Sequence, residues 1–184
     1  NTATDGADFT AASGQAVVPA GSTSTSITVD VLGDGVVEVD ETIDVSITSP
    51  TALLGIASTQ TGVIVDDDLP TLTLGGDQVA TEGPASTVTF DLTLDQAPVN
   101  PVAVDWAIVS GTALPADDYV DSSGTVVFAP GDTAATVIVT LVDDSAVEFD
   151  ENFTLQLGAV TGANGPATTS ANALVQDDDV AVLS

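Results

Sequence analysis

The sequence predicts an all-β chain: tandem antiparallel β-sandwiches of about seven strands each, the first incomplete at its N-terminus. Three observations carry this. The chain repeats itself at an offset of 110 residues. Apolar and polar residues alternate with a period of two, and no stretch sustains a 3.6-residue period. Clusters of Gly, Pro, Asn and Asp punctuate the alternating segments, as turns require.

The repeat is ordered along the whole overlap. Asp8-Phe9 falls on Asp118-Tyr119, Ser13-Gly14 on Ser123-Gly124, and Gly21 on Gly131. Ile27, Val29 and Val31 fall on Val137, Val139 and Leu141, and Glu38-Val39-Asp40-Glu41 falls on Glu148-Phe149-Asp150-Glu151. With one inserted residue, Val65-Asp66-Asp67-Asp68 falls on Gln176-Asp177-Asp178-Asp179. The expected organisation is therefore a partial repeat at 1–68, a complete one at 69–179 and the start of a further one at 180–184. Only Leu69-Pro70 joins the first two, too little for a flexible linker.

In the complete repeat the first strand is expected near 71–76. The second, near 86–95, sets Val88, Phe90, Leu92 and Leu94 on one face. The third, near 101–109, does so with Val102, Val104, Trp106 and Ile108. A fourth follows near 124–129, and a fifth near 134–142 carries Val137, Val139 and Leu141. The sixth, near 152–159, aligns Phe153, Leu155 and Leu157, and the seventh lies near 170–176. Residue 1 aligns with Gly111, so the first repeat lacks the equivalents of 69–110, its first three strands. That would leave Ile27, Val29, Val31, Ile43, Val45 and Ile47 uncovered. Either the chain is a window of a longer array, or neighbouring repeats or identical chains complete the N-terminal sandwich.

Charge narrows function sharply. There are 28 Asp and Glu residues against no Lys, Arg or His, and 43% of residues are apolar. No cationic patch exists to meet phosphates, which excludes nucleic acids and anionic membrane surfaces. Without His, Cys or Lys there is no Ser–His or Cys–His pair, no Schiff base and none of the usual zinc or iron–sulfur ligands. No apolar run approaches the roughly 18 residues of a membrane span, so no membrane insertion is expected. No signal peptide is present and residue 1 is Asn, as in a processed chain or a piece of a longer one.

What remains is carboxylate chemistry, which suits calcium. In an alternating sandwich, the connections after odd-numbered strands gather at one end. Of the 17 acids from residue 69 onward, twelve fall there: Glu82, Asp117, Asp118, Asp121, Asp143, Asp144, Glu148, Asp150, Glu151 and Asp177 to Asp179. A solvated acidic surface explains the missing cations but not this one-ended placement. Like charges so close call for protons, backbone amides or a bound cation.

The second repeat also carries an ordered set of blocks. They run Glu82-Gly83, Gly111-Thr112-Ala113 to Asp118-Tyr119, Gly124 to Phe128, Pro130-Gly131, Asp143-Asp144, Glu148 to Phe153, and Asp177-Asp178-Asp179. This set resembles the Calx-beta domain along 69–179. The resemblance implies an immunoglobulin-like seven-strand sandwich with calcium at its loop end. It puts the ligands on Glu82, Asp118, Asp143, Asp144, Glu148, Glu151, Asp177, Asp178 and Asp179. In the first repeat the matching set is Asp8, Asp34, Glu38, Glu41, Asp66, Asp67 and Asp68. Ser145 and Phe149 depart from the family's acidic runs, so one ion of a multi-ion cluster in the second repeat is expected to be weaker or absent; in the first repeat Gly33 replaces the first acid of a pair and the equivalent of Glu82 lies before residue 1, so that site is expected to be the poorer one.

The expected function is a calcium-binding structural segment of a secreted or cell-surface protein, an adhesin stalk or extracellular filament stiffened by calcium. The second reading is a calcium-sensor regulatory module. A glycosidase-like enzyme using paired carboxylates is a distant third, because one Trp, one Tyr and short loops offer no cleft. Trp106 and Tyr119 read as packing residues, and the sequon Asn152-Phe153-Thr154 as unoccupied.

Overall fold

Among the residues that the computed structural model describes, 1–48 and 58–180, the chain forms strands and no helix. In order these are β1 (Glu41–Ile47), β2 (Ser58–Ile64), β3 (Leu72–Leu74), β4 (Gln78–Thr81), β5 (Thr87–Leu94), β6 (Val102–Ser110), β7 (Ser123–Phe128), β8 (Ala134–Thr140), β9 (Glu151–Thr161) and β10 (Ser170–Gln176). The chain divides into two compact units, Asn1–Asp68 and Leu69–Ser184. Apart from Val180, the segment expected to open a further repeat lies outside the described residues.

The second unit is a sandwich of two sheets. One has the order β3-β5-β8 and the other β4-β10-β9-β6-β7. Alternation becomes burial. In β5, Val88, Phe90, Leu92 and Leu94 are buried, while Thr87, Thr89, Asp91 and Thr93 face solvent. The opposing sheet contributes Val102 and Val104 from β6, Phe153, Leu155 and Leu157 from β9, and Ala171, Ala173 and Val175 from β10. Phe153 ties the layers together: its ring lies 6.4 Å from that of Phe90, edge on, and 4.7 Å from that of Tyr119. Tyr119 is itself buried, with its hydroxyl 2.7 Å from Ser110 Oγ. A bulge between Val104 and Trp106 shifts the register of β6 on β9.

Two expectations need correction. Among its described residues the second unit has eight strands rather than seven, and the strand expected at 71–76 ends at Leu74. Gly75 and Gly76 break it. Gly75 N–H donates to Asp91 O at 2.8 Å, and a Cβ on Gly75 would sit 3.2 Å from that oxygen. The chain then crosses to the other sheet, where β4 runs parallel to β10, from Ala173↔Gln78 to Gln176↔Thr81.

The first unit is far more open. β1 and β2 form an antiparallel pair from Glu41↔Ile64 to Ile47↔Ser58. Residues 13–18 and 24–30, the counterparts of β7 and β8, form no strand. Ala3 is the buried apolar residue among the described ones; Val17, Ile27, Val31 and Ile47 are exposed. One local element does recur. The bridges Asp5↔Phe9 and Phe9↔Val31 are repeated as Pro115↔Tyr119 and Tyr119↔Leu141.

Candidate metal centre

Each unit gathers its carboxylates by short-range backbone devices, and the devices match. Asp8 Oδ2 accepts from Thr4 N–H at 2.6 Å, and Asp118 Oδ2 from Leu114 N–H at 2.7 Å. These close a tight turn in which Gly6 and Ala116 both have positive φ, 84° and 74°. Asp34 Oδ1 caps Val36 N–H at 2.8 Å, as Asp144 Oδ1 caps Ala146 N–H at 2.7 Å. Glu38 N–H donates to Asp66 Oδ2 at 3.1 Å, and Glu148 N–H to Asp177 Oδ2 at 3.1 Å. The aspartate triplets fold on themselves: Asp68 N–H reaches Asp66 Oδ1 at 3.4 Å, and Asp179 N–H reaches Asp177 Oδ1 at 3.2 Å.

In the second unit the nine sequence-nominated acids are linked through their mutual charge repulsion, while among the described residues it is Asp8, Glu38 and Glu41 of the first unit that bring three carboxylates within 4.8 Å of one another. Glu82 and Asp118 are buried, each 7% exposed. Glu82 sits just past β4, its N–H bonded to Gln176 O at 2.9 Å, and its carboxyl is hydrogen-bonded to Asp177. Burial, that hydrogen bond and the charges of Asp177, Asp144 and Glu148 push the Glu82 carboxyl up to about 7. Glu151 is likewise pushed to about 7 by burial, by its hydrogen bond to Asp118, and by the charges of Asp118 and Glu148. Glu148 is raised by desolvation and then by Asp118, Asp144, Asp177 and Asp117. Asp179 is raised by desolvation and then by Asp177, Asp178, Asp144 and Asp143.

The first unit repeats the pattern on a smaller scale. Carboxylate oxygens of Asp8, Glu38 and Glu41 all lie within 4.8 Å of one another. Around them is a cavity of about 100 Å³ also lined by Asp34, Asp66, Asp67 and Asp68. Glu41 is raised by desolvation and by a hydrogen bond to Asp8; Glu38 by desolvation and by Asp8, Asp34 and Asp66. Desolvation, Asp67, Asp66 and Asp34 raise Asp68.

The donor set fits a hard cation. A hydrogen bond between two carboxyls needs a proton in it, and Glu82–Asp177, Glu151–Asp118 and Glu41–Asp8 are three such pairs. A divalent ion held by several oxygens does the same work without protonation. Asp179 Oδ2 is buried and has no hydrogen-bond partner, which leaves it free to ligate.

Two acids outside the nominated set take part. Asp117 adds to the field on Glu148, and Asp40 Oδ1 accepts from Asp66 N–H at 3.2 Å. The signals were present: Asp117 adjoins Asp118, and Asp40 lies inside the recurring Glu38–Glu41 block. Asn152 is engaged within the loop, its Oδ1 accepting from Thr112 N–H at 3.0 Å and its N–H bonded to Thr112 Oγ1 at 3.0 Å.

Fold and site together define a class: a β-sandwich module with an acidic loop cluster, whose loop devices recur in the more open first unit. The Calx-beta domain matches residues 1–69 and 66–179, and the chain belongs to that family. It is 44% identical over 61 residues to sodium/calcium exchanger 1 of Canis lupus familiaris, covering 33% of this chain and 6% of the exchanger. It is 26% identical over 187 residues to adhesion G-protein coupled receptor V1 of Danio rerio, covering 86% of this chain and 3% of the receptor. The chain thus spans a small part of the curated relatives it matches. Among solved structures, the apo form of the Calx CBD1 domain aligns with TM-score 0.56 at 21% identity, over 61% of this chain and all of that one. Calcium binding domain CBD12 of CALX1.1 aligns with TM-score 0.55 at 22% identity, over 59% and 44% of the two chains. Both likenesses are of fold. Calx-beta is a binding and regulatory family rather than a catalytic one.

Proposed function

We propose that this chain is a calcium-binding structural segment whose two acidic clusters take up calcium and thereby rigidify their modules. The observation that carries this is the convergence of nine carboxylates in a chain with no Lys, Arg or His to offset them. The ligands are Glu82, Asp118, Asp143, Asp144, Glu148, Glu151 and Asp177 to Asp179. The smaller set is Asp8, Asp34, Glu38, Glu41 and Asp66 to Asp68. The setting is extracellular or at the cell surface, in an adhesin stalk or filament. The likeness to an adhesion receptor over most of this chain supports that setting. The absence of Lys and Arg, which removes every trypsin-type cleavage site, would protect an exposed stalk.

The exchanger-like segment favours a second reading, a regulatory calcium sensor. Affinity separates the two. Sensors bind near micromolar calcium, extracellular modules at roughly 0.1–1 mM. The test is calorimetric calcium titration, paired with thermal melts in calcium and in excess chelator. Saturable binding near millimolar with a higher melting temperature supports the structural role; micromolar affinity supports the sensor. No heat and an unchanged melt would refute both.

A further inference from the structure

In the second unit the loop that carries Asp118 is moored to the strand that opens on Glu151. The mooring point is Asn152, the residue after Glu151. Ala113 N–H donates to Asn152 O at 2.9 Å, Thr112 N–H donates to Asn152 Oδ1 at 3.0 Å, and Asn152 N–H donates to Thr112 Oγ1 at 3.0 Å. The next residue, Leu114, donates its N–H to Asp118 Oδ2 at 2.7 Å. The circuit closes through the hydrogen bond between the Asp118 and Glu151 carboxyls. Ala113, at its centre, has no exposure.

The first unit builds the same circuit with a different pair. Thr42 follows Glu41 in β1. Ala3 N–H donates to Thr42 O at 3.1 Å, Thr2 N–H donates to Thr42 Oγ1 at 3.2 Å, and Thr42 N–H donates to Thr2 Oγ1 at 2.9 Å. Thr4 N–H then reaches Asp8 Oδ2, and the Asp8 carboxyl is hydrogen-bonded to Glu41. This unit forms no strand at the counterparts of β7 and β8, yet it keeps the clasp, and its buried apolar residue among the described ones is Ala3, the counterpart of Ala113. A device kept where the core is open serves the acidic end rather than the packing of a sandwich. Gly111 shows how close the clasp is: a Cβ there would collide with the Asn152 side-chain amide and lie 2.5 Å from its carbonyl oxygen.

We propose that Thr112 and Asn152 are positioning residues of the second unit's metal centre, and that Thr2 and Thr42 play that part in the first. The inference rests on the calcium reading given above. The hydroxyl and the amide are spent on each other and on backbone, so they hold the loop and leave the carboxylates to the ion. The clasp fixes the spacing of Asp118 and Glu151 before the ion arrives, so binding does not have to order the loop.

The test is calorimetric calcium titration of the full chain, paired with metal-free melts. Thr112→Val keeps the side chain's shape, removes its hydroxyl, and is expected to weaken calcium binding at the second unit about tenfold or more. Gly111→Ala, which displaces the Asn152 amide and deletes no polar group, is expected to do the same. Thr112→Ser keeps the hydroxyl and Asn152→Thr installs the first unit's pairing, and both are expected to stay within about threefold of the parent chain. Amide exchange with and without calcium assigns the loss to its unit: the protection that calcium adds at 112–118 shrinks in Thr112→Val, while that at 2–8, and the protection of β5 and β8, stay as they were. A Thr112→Val chain that melts lower without metal but binds calcium as the parent does overturns the proposal, because the clasp is then structural only. A loss in Asn152→Thr as large as in Thr112→Val overturns it too. A parent chain that takes up no calcium overturns the calcium reading itself, and the positioning role falls with it.

Discussion

Ile27 and Val137 hold the same place in the two repeats, yet one is 49% exposed and the other 2%. Their loops tell the opposite story. The hydrogen bonds that place Asp8 and Asp118 differ by 0.1 Å (2.6 against 2.7 Å), and those joining Glu38 to Asp66 and Glu148 to Asp177 are both 3.1 Å. The acidic ends form from contacts close in sequence and one strand pair, so each unit builds its own. The core depends on an opposing sheet, which the second unit draws from β3, β5 and β8. Side-chain alternation alone does not bury a face; a partner layer does.

The largest test of this contrast is in the core. Phe153→Ala removes a side chain with no exposure, and is expected to cost about 3–5 kcal/mol in denaturant unfolding. Its counterpart Ile43→Ala, at a half-buried position, is expected to cost under about 1 kcal/mol. Equal costs would erase the difference between the units.

Calcium comes next. Each occupied site is expected to stabilise by about 2.7 kcal/mol at a hundred times its dissociation constant. Glu148→Gln should remove most of the calcium-dependent rise in melting temperature of the second unit. Glu38→Gln should remove a smaller rise, because Gly33 stands where the second unit has Asp143. Melts in calcium and in chelator check both.

The pH response is expected to be smaller. Glu82 and Glu151 titrate near 7 in the folded chain against an ordinary 4.5. The native state therefore binds more protons than the unfolded one between those values. Their contribution to metal-free stability is present in full below about pH 4.5 and is lost as pH rises through about 7. Metal-free melts between about pH 8 and pH 5 should rise with acid, and calcium affinity should fall over the same range as protons compete. Glu82→Gln should flatten the first trend. A metal-free melt that only falls with acid would remove these carboxylates from the account.

The smallest effect lies in the shared turn. Ala116 has φ 74° where Gly6 has φ 84°. Ala116→Gly is expected to stabilise the second unit by up to about 1 kcal/mol, since relief of the left-handed strain exceeds the added chain entropy. Differential unfolding would show it.

Much of this was legible in sequence for a physical reason. Period-two alternation over Val88 to Leu94 and Phe153 to Leu157 reports burial on one face, and those strands lie where the pattern put them. β4 was not legible. Gln78-Val79-Ala80-Thr81 is four residues long, carries a half-exposed pattern, and owes its strand state to a parallel partner about 95 residues away. The acidic cluster could be gathered from loop positions because turns and aspartate caps are local. Glu82's burial could not, because it depends on β4 carrying the chain across to Gln176.

That crossing also sets how the second unit bears tension. β4 lies near the unit's start and β10 near its end, and the two run parallel over four register pairs. Drawing the unit's ends apart slides these strands along each other, so their hydrogen bonds are loaded together in shear instead of opening one at a time like a zipper. Glu82 and Asp177 sit immediately beyond the last pair, Gln176↔Thr81, and are joined to each other. An ion held by both would act as a pin at the end of the loaded ladder. Resistance to pulling, a property of the unfolding rate rather than of equilibrium stability, would then rise with calcium.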